Sequence, residues 1–117
     1  MNQPISDRLT EKKCVPCRGG ISPLTGGALQ ELNNQVLDWV VIDGHHIVKN
    51  FKFKNFRKAL ELVDKVGNLA EMEWHHPDIN LSWGKVEIKL YTHKIDGLSQ
   101  NDFIMAAKID KIFGQID

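Results

Sequence analysis

The sequence has little that would place it in a membrane, on a polyanion or in a disulfide framework. Its longest unbroken apolar run is the five residues 103–107, against the roughly 20 needed to span a bilayer, so no transmembrane helix is read. Fifteen basic side chains balance fifteen acidic ones. A net charge of zero removes any global field that would draw in nucleic acid, anionic lipid or a strongly acidic partner. Residues 1–13 carry no apolar h-region, so no secretory signal is read there and cytoplasmic residence is expected. The two cysteines, Cys14 and Cys17, form a C-x-x-C without a second one. A structural zinc site would need further ligands at matching spacing, and a reducing cytosol disfavours a disulfide. The pair is read as part of an inert or redox-sensitive arm. Gly19-Gly20 and Gly26-Gly27 lack the G-x-x-x-x-G-K-[ST] context, so no phosphate loop is read.

What is present fits one domain, since 117 residues bury one modest core but not two. Pro4, Pro16 and Gly19-Gly20 make residues 1–21 a flexible amino-terminal arm, with the folded domain over 22–117. Thr25 caps a helix running to about Asn34, with Leu29, Leu32 and Val36 at helical spacing. Residues 37–43 and 46–54 are β-branched and aromatic runs about Asp43-Gly44, a tight-hairpin dipeptide. In the second run Ile47, Phe51 and Phe53 share a face with Lys49. Asn55 caps a long helix to about Met72 whose stripe is Phe56, Ala59, Leu60, Val63, Val66 and Ala70. Ile79, Leu81, Trp83, then Val86, Ile88 and Leu90 describe a second hairpin closed by Gly84-Lys85, with Gly at the first central position of a type II′ turn. Ser99 to Asp102 resembles a capping box, with Asp in place of Glu, before a last helix lined by Met105, Ala106, Ile109, Ile112 and Phe113. The expected class is α+β, in the order αββαββα, with a four-stranded antiparallel sheet and helices packed on one face.

Three of the five histidines, His75, His76 and His93, can meet in this arrangement. With Gly84 and Lys85 as loop residues, Trp83 faces Val86, Leu81 faces Ile88 and Ile79 faces Leu90, which puts all six apolar residues on one face. The same register sets His76 opposite His93, and facing residues lie about 4.5–5.5 Å apart at Cβ. Pro77 cannot donate a ladder hydrogen bond, so an open rim is expected there. Imidazole titrates near neutral pH, and such a cluster can hold one ring protonated and another neutral, as proton transfer requires. His45 and His46 are read as turn and surface residues on opposite faces, poorly placed to share a metal. Trp39 and Trp83 sit in apolar strand patterns and are read as core.

Glu71, His75-His76-Pro77, Trp83, His93 and Asp102 in their spacing resemble the signature of the pterin-4a-carbinolamine dehydratases. The similarity extends through Asp38-Trp39, Phe51-Lys52-Phe53-Lys54-Asn55-Phe56 and Gly97-Leu98-Ser99, and covers roughly residues 22–113. The resemblance implies the same αββαββα subunit and a hydro-lyase that removes water from 4a-hydroxytetrahydropterin. The product is the quinonoid dihydropterin, recycled for an aromatic amino acid hydroxylase. It implies no metal or organic cofactor, and a homodimer or homotetramer. His75, His76 and His93 become the catalytic imidazoles, with His76 and His93 handling the leaving hydroxyl and His75 positioning or deprotonating the ring. Substrate contacts are implied at Glu71, Trp74, Pro77, Tyr91, Thr92, Lys94 and Asp102. Glu71 would orient an imidazole or bind the amino-pyrimidine edge. Asp102 would cap the last helix or steady His93.

Two other readings compete. Residues 49–58 interleave basic and aromatic side chains, as single-strand binders do, but strand parity separates Phe51 and Phe53 from Lys52 and Lys54. A protein-interaction module, such as the dimerisation cofactor of a transcription factor known among family members, needs no catalysis. An exposed strand edge or the central helix could serve it.

Overall fold

A computed structural model describes residues 9–15 and 19–116. Helix α1 spans Gly26–Asn33, strands β1 and β2 span Val40–Ile42 and His46–Lys52, and helix α2 spans Phe56–Glu73. Strands β3 (Asp78–Ser82) and β4 (Lys85–Leu90) follow, then a 3₁₀ turn, His93–Ile95, and helix α3, Gln100–Gly114. The sheet is antiparallel throughout, in the order β1-β2-β4-β3. The class and order expected from the sequence are those observed.

Local chemistry explains most element ends. Asp43 and Gly44 take φ of 53° and 64°, and His45 N–H donates to the Ile42 carbonyl at 2.9 Å, the geometry of a type I′ turn. The Asn55 side chain accepts from Lys58 N–H at 2.8 Å and so caps α2. Strand β1 is shorter than expected, because Asp38 turns the chain with φ 67°. Trp39 still reaches the core and donates its indole N–H to Asp110 at 3.1 Å. Lys49 shares the inward face and is neutralised there by Asp110 at 2.8 Å.

The core lies between one face of the sheet and the helices. Ile47, Phe51, Val86, Ile88 and Leu90 meet Ala59, Leu62, Val66 and Ala70 of α2 and Phe103, Ala106 and Ile109 of α3. The α2 stripe differs from expectation, since Leu62 is buried while Phe56 and Leu60 are each 44% exposed. Apolar residues cover so wide an arc of this helix that its inward line is decided by how it crosses the sheet.

The second hairpin is two residues out of the expected register. Leu81 faces Val86, Ile79 faces Ile88 and Ser82 faces Lys85, so Trp83 and Gly84 form the loop. A two-residue shift keeps the parity of every side chain, so the hydrophobic pattern cannot detect it. Gly84 decides it as the second loop residue, not the first. It takes φ 68°, its carbonyl accepts from Phe53 N–H at 2.8 Å, and a Cβ there would lie 3.0 Å from the Phe53 carbonyl oxygen. Trp83 is therefore 72% exposed, against the expectation that it lies in the core. His76 and His93 are not a facing pair, because β3 starts at Asp78 and β4 ends at Leu90, before either histidine.

Most of the expected arm, including Cys17, lies outside the described residues. Residues 9–15 rest on the domain, with Leu9 1% exposed within the core. Cys14 N–H donates to Glu73 Oε1 at 2.8 Å, and Lys108 holds Glu73 Oε2 at 2.9 Å. Burial pushes the Cys14 thiol up to about 12, with Glu73 adding to the shift. At about pH 8 its thiolate fraction is then roughly a thousandth of that of a free cysteine. Iodoacetamide labelling read by peptide mass spectrometry should show Cys14 reacting about a thousandfold more slowly than a model thiol until the protein is unfolded.

Burial also raises Glu73, but the ion pair with Lys108 and the Cys14 N–H outweigh it and hold the carboxyl below its ordinary range. A depressed carboxyl contributes stability above its unfolded pKa and loses it as pH falls through the folded one. Glu73→Gln should therefore lower the urea midpoint near neutrality. Its deficit against wild type should close as pH falls through the acid range.

Candidate active site

Helix α2 ends in a left-handed residue, Trp74 at φ 52° and ψ 45°, whose N–H donates to the Ala70 carbonyl. His75 N–H returns to the same carbonyl at 3.2 Å. Such a turn reverses the chain at a helix end and usually uses glycine. Here a tryptophan takes it, and the two following imidazoles diverge. The His75 side chain is 10% exposed and His76 is 50% exposed.

His75 points inward to Asp102. Its Nε2–H donates to Asp102 Oδ1 at 2.7 Å, and Asp102 is fully buried. The other carboxylate oxygen, Oδ2, accepts from Thr92 Oγ1 and from Ser99 N–H, both at 2.9 Å. Thr92 Oγ1 and Ser99 Oγ are 2.7 Å apart. Asp102 thus does two jobs: it caps α3 as the sequence suggested, and the imidazole it steadies is that of His75, not His93. The Thr92–Gly97 bridge brings Thr92 and Ser99 together across the 3₁₀ turn. With the proton held on Nε2, Nδ1 of His75 is the atom left to exchange one.

His76 is held from outside. Its Nε2 pairs with Glu71 Oε2, one turn back on α2, so Glu71 orients an imidazole. The Trp74 ring stands edge-on to His76 at 5.2 Å. His93 opens the 3₁₀ turn, with its ring stacked on Tyr91 at 4.1 Å and 26°. The Tyr91 ring also meets that of His45 at 4.6 Å.

His45 is a loop residue, not a strand residue, so its ring is not sent to the opposite face from His46. The two Nδ1 atoms are 3.0 Å apart, and His45 Nε2 reaches Asp96 at 2.7 Å. Burial, then Lys89 and His45, lowers the His46 pKa and favours its neutral form. No group of three or more potential metal ligands occurs among the described residues.

All three signature histidines open onto one cleft of about 470 Å³, lined also by Val15, Trp74, Thr92, Lys94 and Asn101. The convergence expected from the sequence is therefore present, but a helix end and a 3₁₀ turn produce it, with no facing pair across the hairpin. Of the expected contacts, Trp74, Thr92 and Lys94 line the cleft, while Glu71, Tyr91 and Asp102 stand behind the histidines. Pro77 is not among the lining residues. Val15 and Asn101 were not foreseen. A groove on the outer face of α2, lined by Arg57, Leu60, Glu61, Val63 and Asp64, is of similar size at about 540 Å³ but contains no histidine or cysteine.

The family model described as pterin 4 alpha carbinolamine dehydratase matches residues 22–112. A protein of Rubrobacter xylanophilus, provisionally named pterin-4-alpha-carbinolamine dehydratase, is 53% identical over 89% of this chain and 97% of its own. A protein of Alkaliphilus metalliredigens with the same provisional name is 53% identical over 90% of this chain and 96% of its own. A solved structure from Brucella melitensis, described as a transcriptional coactivator/pterin dehydratase, superposes with a TM-score of 0.75 at 31% identity. It covers 80% of this chain and 100% of its own.

Proposed function

The chain belongs to the pterin 4 alpha carbinolamine dehydratase family, and on that premise we propose that it dehydrates 4a-hydroxytetrahydropterin to the quinonoid dihydropterin by histidine acid–base catalysis. The observation that carries this reading is the meeting of His75, His76 and His93 in one cleft, with His75 fixed by a buried carboxylate.

The reaction needs an acid and a base, placed separately. A proton delivered to the 4a-hydroxyl lets the C–O bond break as water leaves, while the neighbouring ring nitrogen's lone pair forms the C=N bond. A nitrogen-bound proton then passes to a base, which leaves quinonoid product and water. His76 and His93, at the open side of the cleft, handle the hydroxyl and the departing water. His75, the most enclosed of the three and held through Nε2, takes the ring proton at Nδ1. Glu71 and Tyr91 fix the other two rings from behind. Each positioned proton transfer of this kind contributes about 10² to 10⁴ in rate.

Lys94, on the cleft wall beside His93, supplies hydrogen-bond donors for the polar edge of the pterin. Recycling for an aromatic amino acid hydroxylase and assembly as a homodimer or homotetramer belong to the same reading. The exposed Leu60 and Phe56 on α2 offer apolar surface for assembly.

The test follows the ultraviolet change as enzymatically generated 4a-hydroxytetrahydropterin loses water, with and without the protein. Decay well above the spontaneous rate is the expected result. An unchanged rate would remove the enzymatic reading.

A further inference from the structure

One wall of the cleft comes from outside the residues that match the family model. Val15 precedes residue 22, yet it lines the same space as His75, His76 and His93. Its placement is specific. The Asn101 side chain, in a residue only 6% exposed, accepts from Val15 N–H at 3.0 Å and donates to the Val15 carbonyl oxygen at 2.6 Å. A side-chain amide thus satisfies both backbone groups of Val15 as a neighbouring strand would. Cys14 is fixed beside it by its N–H to Glu73 and its Sγ–H to the Asn101 carbonyl oxygen at 3.7 Å. Asn101 directly precedes Asp102, and Glu73 lies two residues before His75. The segment is therefore tied to the two helix ends that hold the His75–Asp102 pair.

Val15 lines the cleft with its backbone engaged and is 68% exposed, so what it can offer a ligand there is its two methyl groups. Of the other lining residues, the three histidines offer imidazole and Lys94 an ammonium, the Thr92 hydroxyl and the Asn101 amide are engaged within the protein, and Trp74 is already set against His76. Methyl groups cannot hold the nitrogens and oxygen of a pterin's pyrimidine edge, nor move a proton at the carbinolamine carbon. They suit the part of the substrate that takes no part in either.

We propose that Val15, positioned by Asn101, is a specificity-determining residue whose side chain packs against the substituent on the reduced ring of the pterin. This rests on the dehydratase reading above and adds to it the choice among substrates. Val15 favours a compact alkyl substituent over a hydroxylated one. Asn101 is a positioning residue, acting through Val15.

The experiment compares kcat/KM for 4a-hydroxytetrahydropterins bearing a methyl or a dihydroxypropyl group at carbon 6, each generated in the assay. Val15→Thr keeps the shape of the side chain and exchanges one methyl for a hydroxyl, so the methyl-to-dihydroxypropyl ratio should fall about fivefold. Asn101→Ala should move the ratio in the same direction, whereas His75→Ala should lower both substrates alike and leave the ratio in place. Thermal unfolding of each variant shows that it is folded at the assay temperature. A wild-type enzyme active on both substrates, with ratios in Val15→Thr and Asn101→Ala within twofold of its own, would overturn the specificity role and leave the dehydratase intact. A wild-type protein that accelerates neither substrate overturns both.

Discussion

Alanine at both His76 and His93 should leave a folded protein whose dehydration rate falls by about 10² to 10⁴. Both side chains are exposed and stand outside the hydrophobic core. Their loss opens no cavity there, and changes at such surface positions usually stay within about 0.5 kcal/mol of stability. The comparison is of kcat/KM alongside thermal unfolding and sedimentation for wild type and the double variant. An interaction module would show unchanged assembly and no activity to lose in either protein. An enzyme loses rate and keeps its fold.

Asp102→Ala should have the opposite profile, a large loss of both stability and rate. The carboxylate is fully buried and receives hydrogen bonds from His75, Thr92 and Ser99. Its removal leaves three buried or half-buried donors without their acceptor, and at about 1–3 kcal/mol for each unsatisfied group the total cost is about 3–5 kcal/mol. For a domain of this size that lowers Tm by more than about 10 °C. Asp102→Asn separates the two roles. An amide keeps the volume and one acceptor but turns an N–H toward one set of donors, so part of the stability should return while kcat stays low. Full recovery of kcat in Asp102→Asn would mean that His75 needs no anionic partner.

The parts of the fold that rest on a few adjacent residues were legible in the chain itself. Asn55 capping α2, Asp43-Gly44 closing the first hairpin and Asp102 reaching back to Ser99 are each local contests that one side chain decides. The buried faces of β2 and β4 follow from alternation alone. What escaped was everything that sequence parity leaves equal or that a distant partner decides. The β3–β4 register moved by two because Gly84 docks on Phe53, some thirty residues earlier in the chain, without changing any side chain's face. Leu62 replaced Leu60 in the core because the crossing of α2 over the sheet chose among many apolar positions.

The site shows the same division. The three histidines were identifiable from their spacing, and so was the existence of a carboxylate partner. Which imidazole Asp102 serves depended on the left-handed turn at Trp74, which no propensity for tryptophan would suggest. Val15 was hidden because its place depends on Asn101, eighty-six residues away, and an isolated valine beside proline and cysteine carries no periodic signal.

The central claim, that three imidazoles address one ligand, is tested most directly by histidine ring resonances in ¹H–¹⁵N spectra, assigned with single substitutions, as a non-reacting oxidised pterin is added. His75, His76 and His93 should shift together along one saturable curve, with His75 retaining a protonated Nε2 throughout. A pterin that binds while the signals of these three rings stay where they were would contradict the account.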